Sequence, residues 1–448
     1  MAIPPLAGLA DYKAAARIGY SVEENVQLML RYAWIEKRVM ETALYWLAPS
    51  PEWEVKQALG LHMSLDAEHA ATLRQRIGEM RSPVPRMDVS PDEAIDRFFD
   101  ELLTAQNTLE KLVGLYGVLR PALLEAYHQH YAASSPVIDH PTRRMIKHIL
   151  VDQEEIVEWG LQAVAAVTES TETRADAETW ANHLRAYLAA AGGIMGTEEK
   201  PFALPEPRAK APYQPDFFPQ RDERFAMRWN FSNPQRPVSL NEAVPLDERT
   251  IALMCRRIVE MDVPEYMTRI IALAENEPWE YYVTMTRQLW DEVRHATLGE
   301  IYFENRGVDW KQKIAIHPGM SIRLGRLPVK DAHLVLYAIE QNLMPANTGK
   351  RLEFEISKNA QDSLAAHIQD YDWADEVLHV HNGREWLLPR IDLKPNDAVK
   401  KGWELRSTTL DTLKEFENRG EQKNWWPEFV REVLGRETAM PEFETTRL

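Results

Sequence analysis

The sequence predicts an all-α protein. Apolar residues recur at spacings of three and four in most of its long segments, and no stretch shows the strict apolar/polar alternation of a half-buried strand. A third observation gives the class its character. Glu-x-x-His occurs at Glu292/His295 and again at Glu376/His379, and on a helix that spacing puts a carboxylate and an imidazole on one face, a turn apart.

The first helix begins at Ser21, which forms the pattern of a capping box with Glu24, and Val22, Val26, Met29, Leu30, Ala33 and Trp34 carry its apolar stripe to about residue 47. Pro49 and Pro51 stop it. A second helix is predicted over 52–80 and ends before Ser82-Pro83-Val84-Pro85. Ser90-Pro91-Asp92-Glu93 then opens a third, expected as one long or kinked helix over 94–131 with Pro121 at the kink. A fourth is predicted over 141–167 and a fifth over 175–191, where Gly192-Gly193 ends it.

Residues 196–245 change composition, with prolines at 201, 205, 207, 212, 215, 219, 234 and 237 and little helical periodicity. Phe202, Tyr213, Phe217, Phe218, Phe225, Trp229 and Phe231 are too many aromatics for a solvated tether, so this Pro-rich connector is expected to pack along a folded surface. Helical spacing resumes over 246–275 and over 278–305, which carries the first motif. A loop is expected over 307–325, then helices over 328–357 and 359–385, the latter carrying the second motif. Shorter amphipathic pieces follow near 398–418 and 425–434. The expected organisation is a helical domain over 1–195, a connector over 196–245 and a second helical domain over 246–448.

A chain of 448 residues has room for real cores, and its net charge of −17 disfavours nucleic acid as a partner. The single cysteine, Cys255, excludes an intramolecular disulfide and fits a reducing compartment; it reads as a small buried residue on a helix. The start of the chain lacks the basic-then-apolar plan of a secretory signal, and no apolar run is long enough to cross a bilayer, so a soluble, cytoplasmic protein is expected.

The chain also resembles itself. Trp53-Glu54 precedes His69 by the same interval as Trp279-Glu280 precedes His295, and His69-Ala70-Ala71-Thr72-Leu73 resembles His295-Ala296-Thr297-Leu298. Leu115-Tyr116-Gly117 likewise resembles Leu336-Tyr337-Ala338. The alignment sets Asp66 against Glu292, Leu119 against Glu340 and Glu155 against Glu376, as expected of an internal duplication. The second copy keeps Glu292, His295, Glu340, Glu376 and His379, with Glu260 or Glu265 from its first helix. Glu260 is favoured by its separation from Glu292, about the run of two antiparallel helices and a turn, although Pro264 leaves the choice open. The first copy keeps Asp66, His69 and Glu155, with Glu36 or Glu41, but has Leu119 where a carboxylate would stand; it reads as a scaffold, with one metal at Glu36, Asp66 and His69 as the alternative.

This inventory is chemically coherent. Two divalent ions need anionic oxygen donors to neutralise and bridge them, an imidazole for each, and open positions for a further ligand. Burying so many carboxylates without cations costs several kcal/mol for each charge. Glu340 lies on a mostly apolar stripe with Leu336, Leu343 and Asn347, where a ligand would sit.

Asp291-Glu292-Val293-Arg294-His295 resembles the D-E-x-R-H signature of bacterial di-iron monooxygenase hydroxylases; Asp375-Glu376-Val377-Leu378-His379 departs from it at Leu378, where arginine would stand. More broadly, 246–385 is similar to the ferritin-like superfamily of carboxylate-bridged di-metal oxidases and oxygenases. The resemblance implies two tandem ferritin-like four-helix bundles. It further implies that Glu292, His295 and the first-helix glutamate hold one metal and Glu340, Glu376 and His379 the other. Asp291 and Asp375 would accept hydrogen bonds from the ligand histidines, with Arg294 beside them. The cofactor implied is a pair of iron ions, or Mn/Fe or Mn/Mn, with dioxygen as co-substrate.

The expected function is an oxygen-dependent di-metal oxidoreductase acting on a small organic substrate in the C-terminal bundle, with no catalytic residue assigned beyond the ligands. An electron-donor protein and a second copy of the chain are the partners such an enzyme admits. The alternatives are a metal-binding or ferroxidase protein without organic substrate, and a structural helical protein whose acidic and histidine residues only pair with one another.

Overall fold

The computed structural model describes residues 3–201 and 203–442, and among them every regular element is helical. The chain divides into two compact units, one formed by Met1–Thr42 with Leu65–Pro215 and the other by Ala43–Ser64 with Asp216–Leu448.

In the first unit, α1 (Val22–Leu47) starts at the predicted capping box. The Glu24 N–H donates to Ser21 Oγ at 3.2 Å while the Ser21 N–H donates to the Glu24 carboxylate at 2.7 Å. After α2 (Trp53–Met80), the single long helix expected over 94–131 is broken into α3 (Glu93–Leu102), a turn at Thr108–Leu112, a π-helical stretch at Val113–Leu119 and α4 (Arg120–Ala133). Asn107 causes the restart, since its side chain accepts the Glu110 N–H at 2.9 Å. Pro121 sits in the first turn of α4, where its missing N–H costs nothing, and the wider π turns precede it. α5 (His140–Val167) and α6 (Thr171–Ala190) complete the unit. The latter begins earlier than its apolar spacing indicated because Ser170 caps the Thr173 N–H at 3.1 Å. α4 packs on α5, α3 on α6, and the π stretch on both α5 and α6.

The second unit uses the last turn of α1 and the first turns of α2, and begins its own run at Asp216. The aromatics of the connector are packed where their number required it: Phe225 and Phe231 are buried, and Phe231 sits with Ile322, Leu413 and Phe416, while Phe202 lies outside the described residues. The helix expected over 246–275 is two, α7 (Leu246–Val259) and α8 (Asp262–Ala272), separated at Glu260-Met261, with Pro264 in the first turn of α8. α9 (Trp279–Glu304) follows, and the loop expected over 307–325 contains short helices at Trp310–Lys313 and Gly319–Leu324. The helix expected over 328–357 is also two, α10 (Val329–Asn342) and α11 (Lys350–Asn359). The intervening turn demands Gly349, because a Cβ there would fall 2.0 Å from the Leu343 carbonyl oxygen, which accepts the Lys350 N–H at 2.9 Å.

α12 (Ser363–Trp386), capped by Asp362 on the Ala365 N–H at 3.0 Å, α13 (Pro395–Thr408) and α14 (Trp426–Leu434) finish the described chain. α9 packs against α7, α8 and α12; α12 packs against α10 and α11; α10 lies on α8 and α11 on α7. The six helices α7–α12 thus pack on one another through these pairwise contacts. Among the described residues no helix is long and apolar enough to cross a membrane.

Candidate metal centre

The interior of the second unit gathers one side-chain face from each of these helices. α9 supplies Glu292 and His295, α12 supplies Glu376 and His379, α10 supplies Glu340, and Glu260 enters from the break after α7. Glu292, His295, Glu340, Glu376 and His379 are each 3% exposed or less. Ligand atoms of Glu292, Glu340, Glu376 and His379 lie within 4.8 Å of one another, and so do those of Glu260, His295 and Asp372. These are two adjacent positions joined by shared carboxylates. Glu292 Oε1 is 3.1 Å from His379 Nδ1 and its Oε2 is 3.5 Å from His295 Nδ1. Glu376 spans the same gap, with Oε2 3.5 Å from His379 Nδ1 and Oε1 turned to the other side.

Both imidazoles present Nδ1 to the interior and Nε2 to an aspartate, with the partners crossed between helices. His295 Nε2 stands 3.1 Å from Asp375 on α12, and His379 Nε2 stands 3.6 Å from Asp291 on α9. Arg294 joins the two aspartates by donating to Asp291 at 2.8 Å and to Asp375 at 2.6 Å. An outer carboxylate of this kind fixes ring orientation and raises ligand basicity. At the inner ends, His295 Nδ1, His379 Nδ1, Glu260 Oε2 and Glu376 Oε2 are buried without a hydrogen-bond partner among the described residues. Four orphaned acceptor-capable atoms converging on one interior is the arrangement that a metal ion satisfies.

The charges are strongly perturbed. Burial first, and then the Glu376 and Glu292 carboxylates, push Glu340 well above the ordinary carboxylate range. Burial acts on Glu376 in the same direction, but Lys350 and the hydrogen bond from Glu340 hold it well below that range, so a proton shared by the pair resides on Glu340. Gln288 also donates to Glu340, at 3.4 Å, and is itself held by Asn382 at 3.1 Å. Burial raises Glu260 to about 7 against the pull of Arg257 and Lys350. His295 is lifted to about 10: burial opposes the shift, and Asp372, Asp375 and Glu292 overcome it.

The choice between Glu260 and Glu265 has a structural basis. Glu265 is fully buried but committed elsewhere, bound by Lys56 Nζ at 2.8 Å and by both terminal nitrogens of Arg221. Glu260 Oε2 instead faces His295 Nδ1 at 3.9 Å. Three residues at the centre escaped sequence reasoning. Asp372, one turn before Glu376, could have been found by extending the ligand face of α12 backwards. Lys350 and Arg257, both fully buried and both bound to Asp372, carried no sequence signal of burial.

The first unit has a smaller cluster at Glu36, Asp66 and His69, again within 4.8 Å, and its own residues satisfy most of it, leaving Glu36 Oε2 without a hydrogen-bond partner among the described residues. Arg120 donates to both oxygens of Asp66, at 2.9 and 2.8 Å, and the Tyr127 hydroxyl donates to Glu36 at 2.7 Å. His69 Nε2 lies 3.0 Å from Asp152. The alignment that brought Glu155 to this cluster is corrected. Glu155 is exposed, and Gln153, two positions earlier on α5, is the buried residue that reaches Glu36 at 3.3 Å. Glu41 also lies outside, paired with Arg38 at 2.8 Å.

Beside the larger centre a cavity of about 370 Å³ is lined by Phe217, Phe218, Tyr266, Ile322, Leu324 and Phe416 among others. Tyr266 is its link to the centre: its buried hydroxyl has no partner among the described residues, and burial together with the charges of Glu340 and Glu292 raises it well above the ordinary tyrosine value.

Fold and site define an all-helical protein with buried carboxylate and histidine clusters able to hold metal ions. Comparison with protein-family models, with curated proteins and with solved structures gave no match.

Proposed function

We propose that the chain is an oxygen-dependent metalloenzyme of the ferritin-like, carboxylate-bridged kind, oxidising a small organic substrate in its second unit. The observation that carries the reading is the convergence of the orphaned Nδ1 atoms of His295 and His379 on the Glu292 and Glu376 carboxylates. Glu292, Glu340, Glu376 and His379 would hold one ion, and Glu260, His295 and Asp372, with Glu292 and Glu376 bridging, would hold the other. A pair of iron ions, or Mn/Fe or Mn/Mn, would supply the activation of dioxygen. The protein's part is positional. Asp291 and Asp375 keep the two rings turned with Nδ1 inward, Arg294 locks the aspartates, and the helical walls exclude water from the carboxylates.

The cavity behind Tyr266 supports an organic substrate over iron alone, because Phe217, Phe218, Ile322, Leu324 and Phe416 line it beside the charged Glu265, Arg269 and Arg326, and Tyr266 in its wall feels the charges of Glu340 and Glu292. The two units further support descent from one duplicated bundle. In each, a histidine turns Nε2 to an aspartate on a later helix, His69 to Asp152 and His295 to Asp375. In each, a glycine lies against a tyrosine ring with no room for a Cβ, Gly160 on Tyr116 and Gly383 on Tyr337.

The test is anaerobic loading with Fe(II) followed by dioxygen, reading bound metal and oxygen consumed in the wild type and in Glu340→Ala. Metal uptake with oxygen consumption that Glu340→Ala abolishes is the expected result. A wild-type protein that takes up neither iron nor manganese would leave only the structural reading.

A further inference from the structure

The two positions of the centre are unequally prepared for a cation, and the difference lies in one side chain. Lys350 opens α11 directly after the Gly349 turn, is fully buried, and sends its ammonium into the second position. Its Nζ lies 2.8 and 2.9 Å from the two oxygens of Asp372, 2.8 Å from Glu376 Oε1 and 3.7 Å from Glu260 Oε1. These are three of the carboxylates that would hold a second ion. Among the described residues, the ion pairs of Glu292 at the first position are with His295 and His379 rather than with a lysine or arginine. Arg257 adds to the asymmetry, bound to Asp372 and, at 2.7 Å, to Glu260.

The balance of charge sets the consequence. Glu260, Glu292, Glu340, Glu353, Asp372 and Glu376 are six carboxylates, and Arg256, Arg257 and Lys350 are the three cations that pair within this group. With all six ionised and both imidazoles neutral, the protonation state in which these groups would serve as metal ligands, three negative charges remain. One divalent ion reduces that to a single negative charge, a second overshoots to a single positive charge, and two ions without Lys350 reach neutrality. In a buried site such differences are screened far less than at the surface.

We propose that Lys350 is an internal competitor for the second metal position, so that the centre loads its ions unequally: the first binds tightly at Glu292, Glu340, Glu376 and His379, and the second enters only as the Lys350 ammonium leaves Asp372 and Glu376. The inference rests on the metal reading above. It makes Lys350 a residue that sets occupancy, and with it the fraction of chains carrying two ions at a given metal supply.

The experiment is an anaerobic titration of the full chain with Fe(II), followed by calorimetry and by counting the ions kept after desalting, in the wild type, Lys350→Met and Lys350→Gln. The wild type is expected to keep one ion and to take the second only at higher concentration. Both variants should tighten the second step by about tenfold or more, the scale on which groups that contact ligands shift metal affinity, and tighten the first step less, since of the first ion's ligands only Glu376 pairs with Lys350 among the described residues. A first step at least as tight as in the wild type also reports that the variant is folded. Two ions bound with equal affinity in the wild type would overturn the inference while leaving the metal reading standing, as would variants whose second step does not move. No ion bound to any of the three would overturn both.

Discussion

Replacing Glu265 by glutamine separates two roles that the sequence left together. Glu265 is buried between Lys56, whose ammonium also donates to the Leu47 and Ala48 carbonyl oxygens at 2.9 and 2.7 Å, and Arg221, which grips both carboxylate oxygens. Glu265→Gln keeps the shape and removes the charge, so two buried cations lose their only carboxylate among these contacts. Breaking a buried pair by removing one partner costs about 3–5 kcal/mol, and Lys56 keeps two carbonyl partners, which places the expected loss near the lower end. The assay is urea denaturation with hydrogen exchange read on α7, α8 and α9. A loss below about 1 kcal/mol would refute the premise that this trio is desolvated and mutually dependent. Metal uptake is the contrasting readout. Glu265→Gln should retain the ions that the wild type retains, whereas Glu260→Gln should weaken the second ion. If Glu265→Gln shed metal while exchange showed its helices in place, the assignment of Glu260 as the ligand would be wrong.

Further outcomes rest on individual contacts. Asp291→Asn removes the charge facing His379 Nε2 and should weaken the first ion by about 10–100-fold, measurable by chelator competition; an unchanged affinity would show that His379 is not a ligand. Gly383→Ala places a Cβ 2.4 Å from the Tyr337 ring and should destabilise the second unit by about 1–3 kcal/mol, and a neutral effect in thermal unfolding would mean that α10 and α12 can part without cost. Arg120→Met strands Asp66 beside Glu36 and should cost about 3–5 kcal/mol in the first unit, recovered in part by added divalent ion because it frees Asp66 next to Glu36 and His69. His333 is pushed down to about 4 by burial and by nearby Arg390. Its lowered value contributes stability above the unfolded imidazole value of about 6.5, and that contribution is lost as the pH falls to about 4, at up to about 1.4 kcal/mol per pH unit. His333→Gln should flatten the acid limb of the stability profile in that window and change nothing above it; a parallel loss at pH 8 would assign His333 a packing role instead.

Long helices were legible because a repeated apolar stripe is a sum over many residues, and the two Glu-x-x-His turns because their spacing is local. What the sequence concealed were interruptions and tertiary partners. The break after Val259 is short and the apolar spacing continues across it, so periodicity reads straight through; the one after Asn342 holds Pro345 and Gly349, turn signals that a reading of apolar stripes alone passes over; yet these breaks bring Glu260 and Lys350 to the centre. Lys350 stands in Gly349-Lys350-Arg351-Leu352-Glu353, a run that looks like a solvated helix start, and only the packing of α11 on α12 and α7 buries it. The Glu155 alignment failed because it assumed equal spacing in both halves, while the interval from Tyr116 to Gly160 is two residues shorter than that from Tyr337 to Gly383. Arg120 was hidden by its neighbour, since the alignment drew attention to Leu119 and the missing carboxylate while the adjacent side chain filled the place with a guanidinium.

Cys255, the single cysteine, lies on α7 five residues before Glu260 with no exposed surface, and burial holds its thiol well above the ordinary value. In the closed protein it is chemically silent, so an alkylating reagent in excess reacts only when the packing around α7 opens. The labelling rate therefore counts the spontaneous openings of the wall that carries Glu260. An ion bound across that wall must slow the count, and the thiol becomes a built-in clock for how often the centre exchanges its contents with the solution.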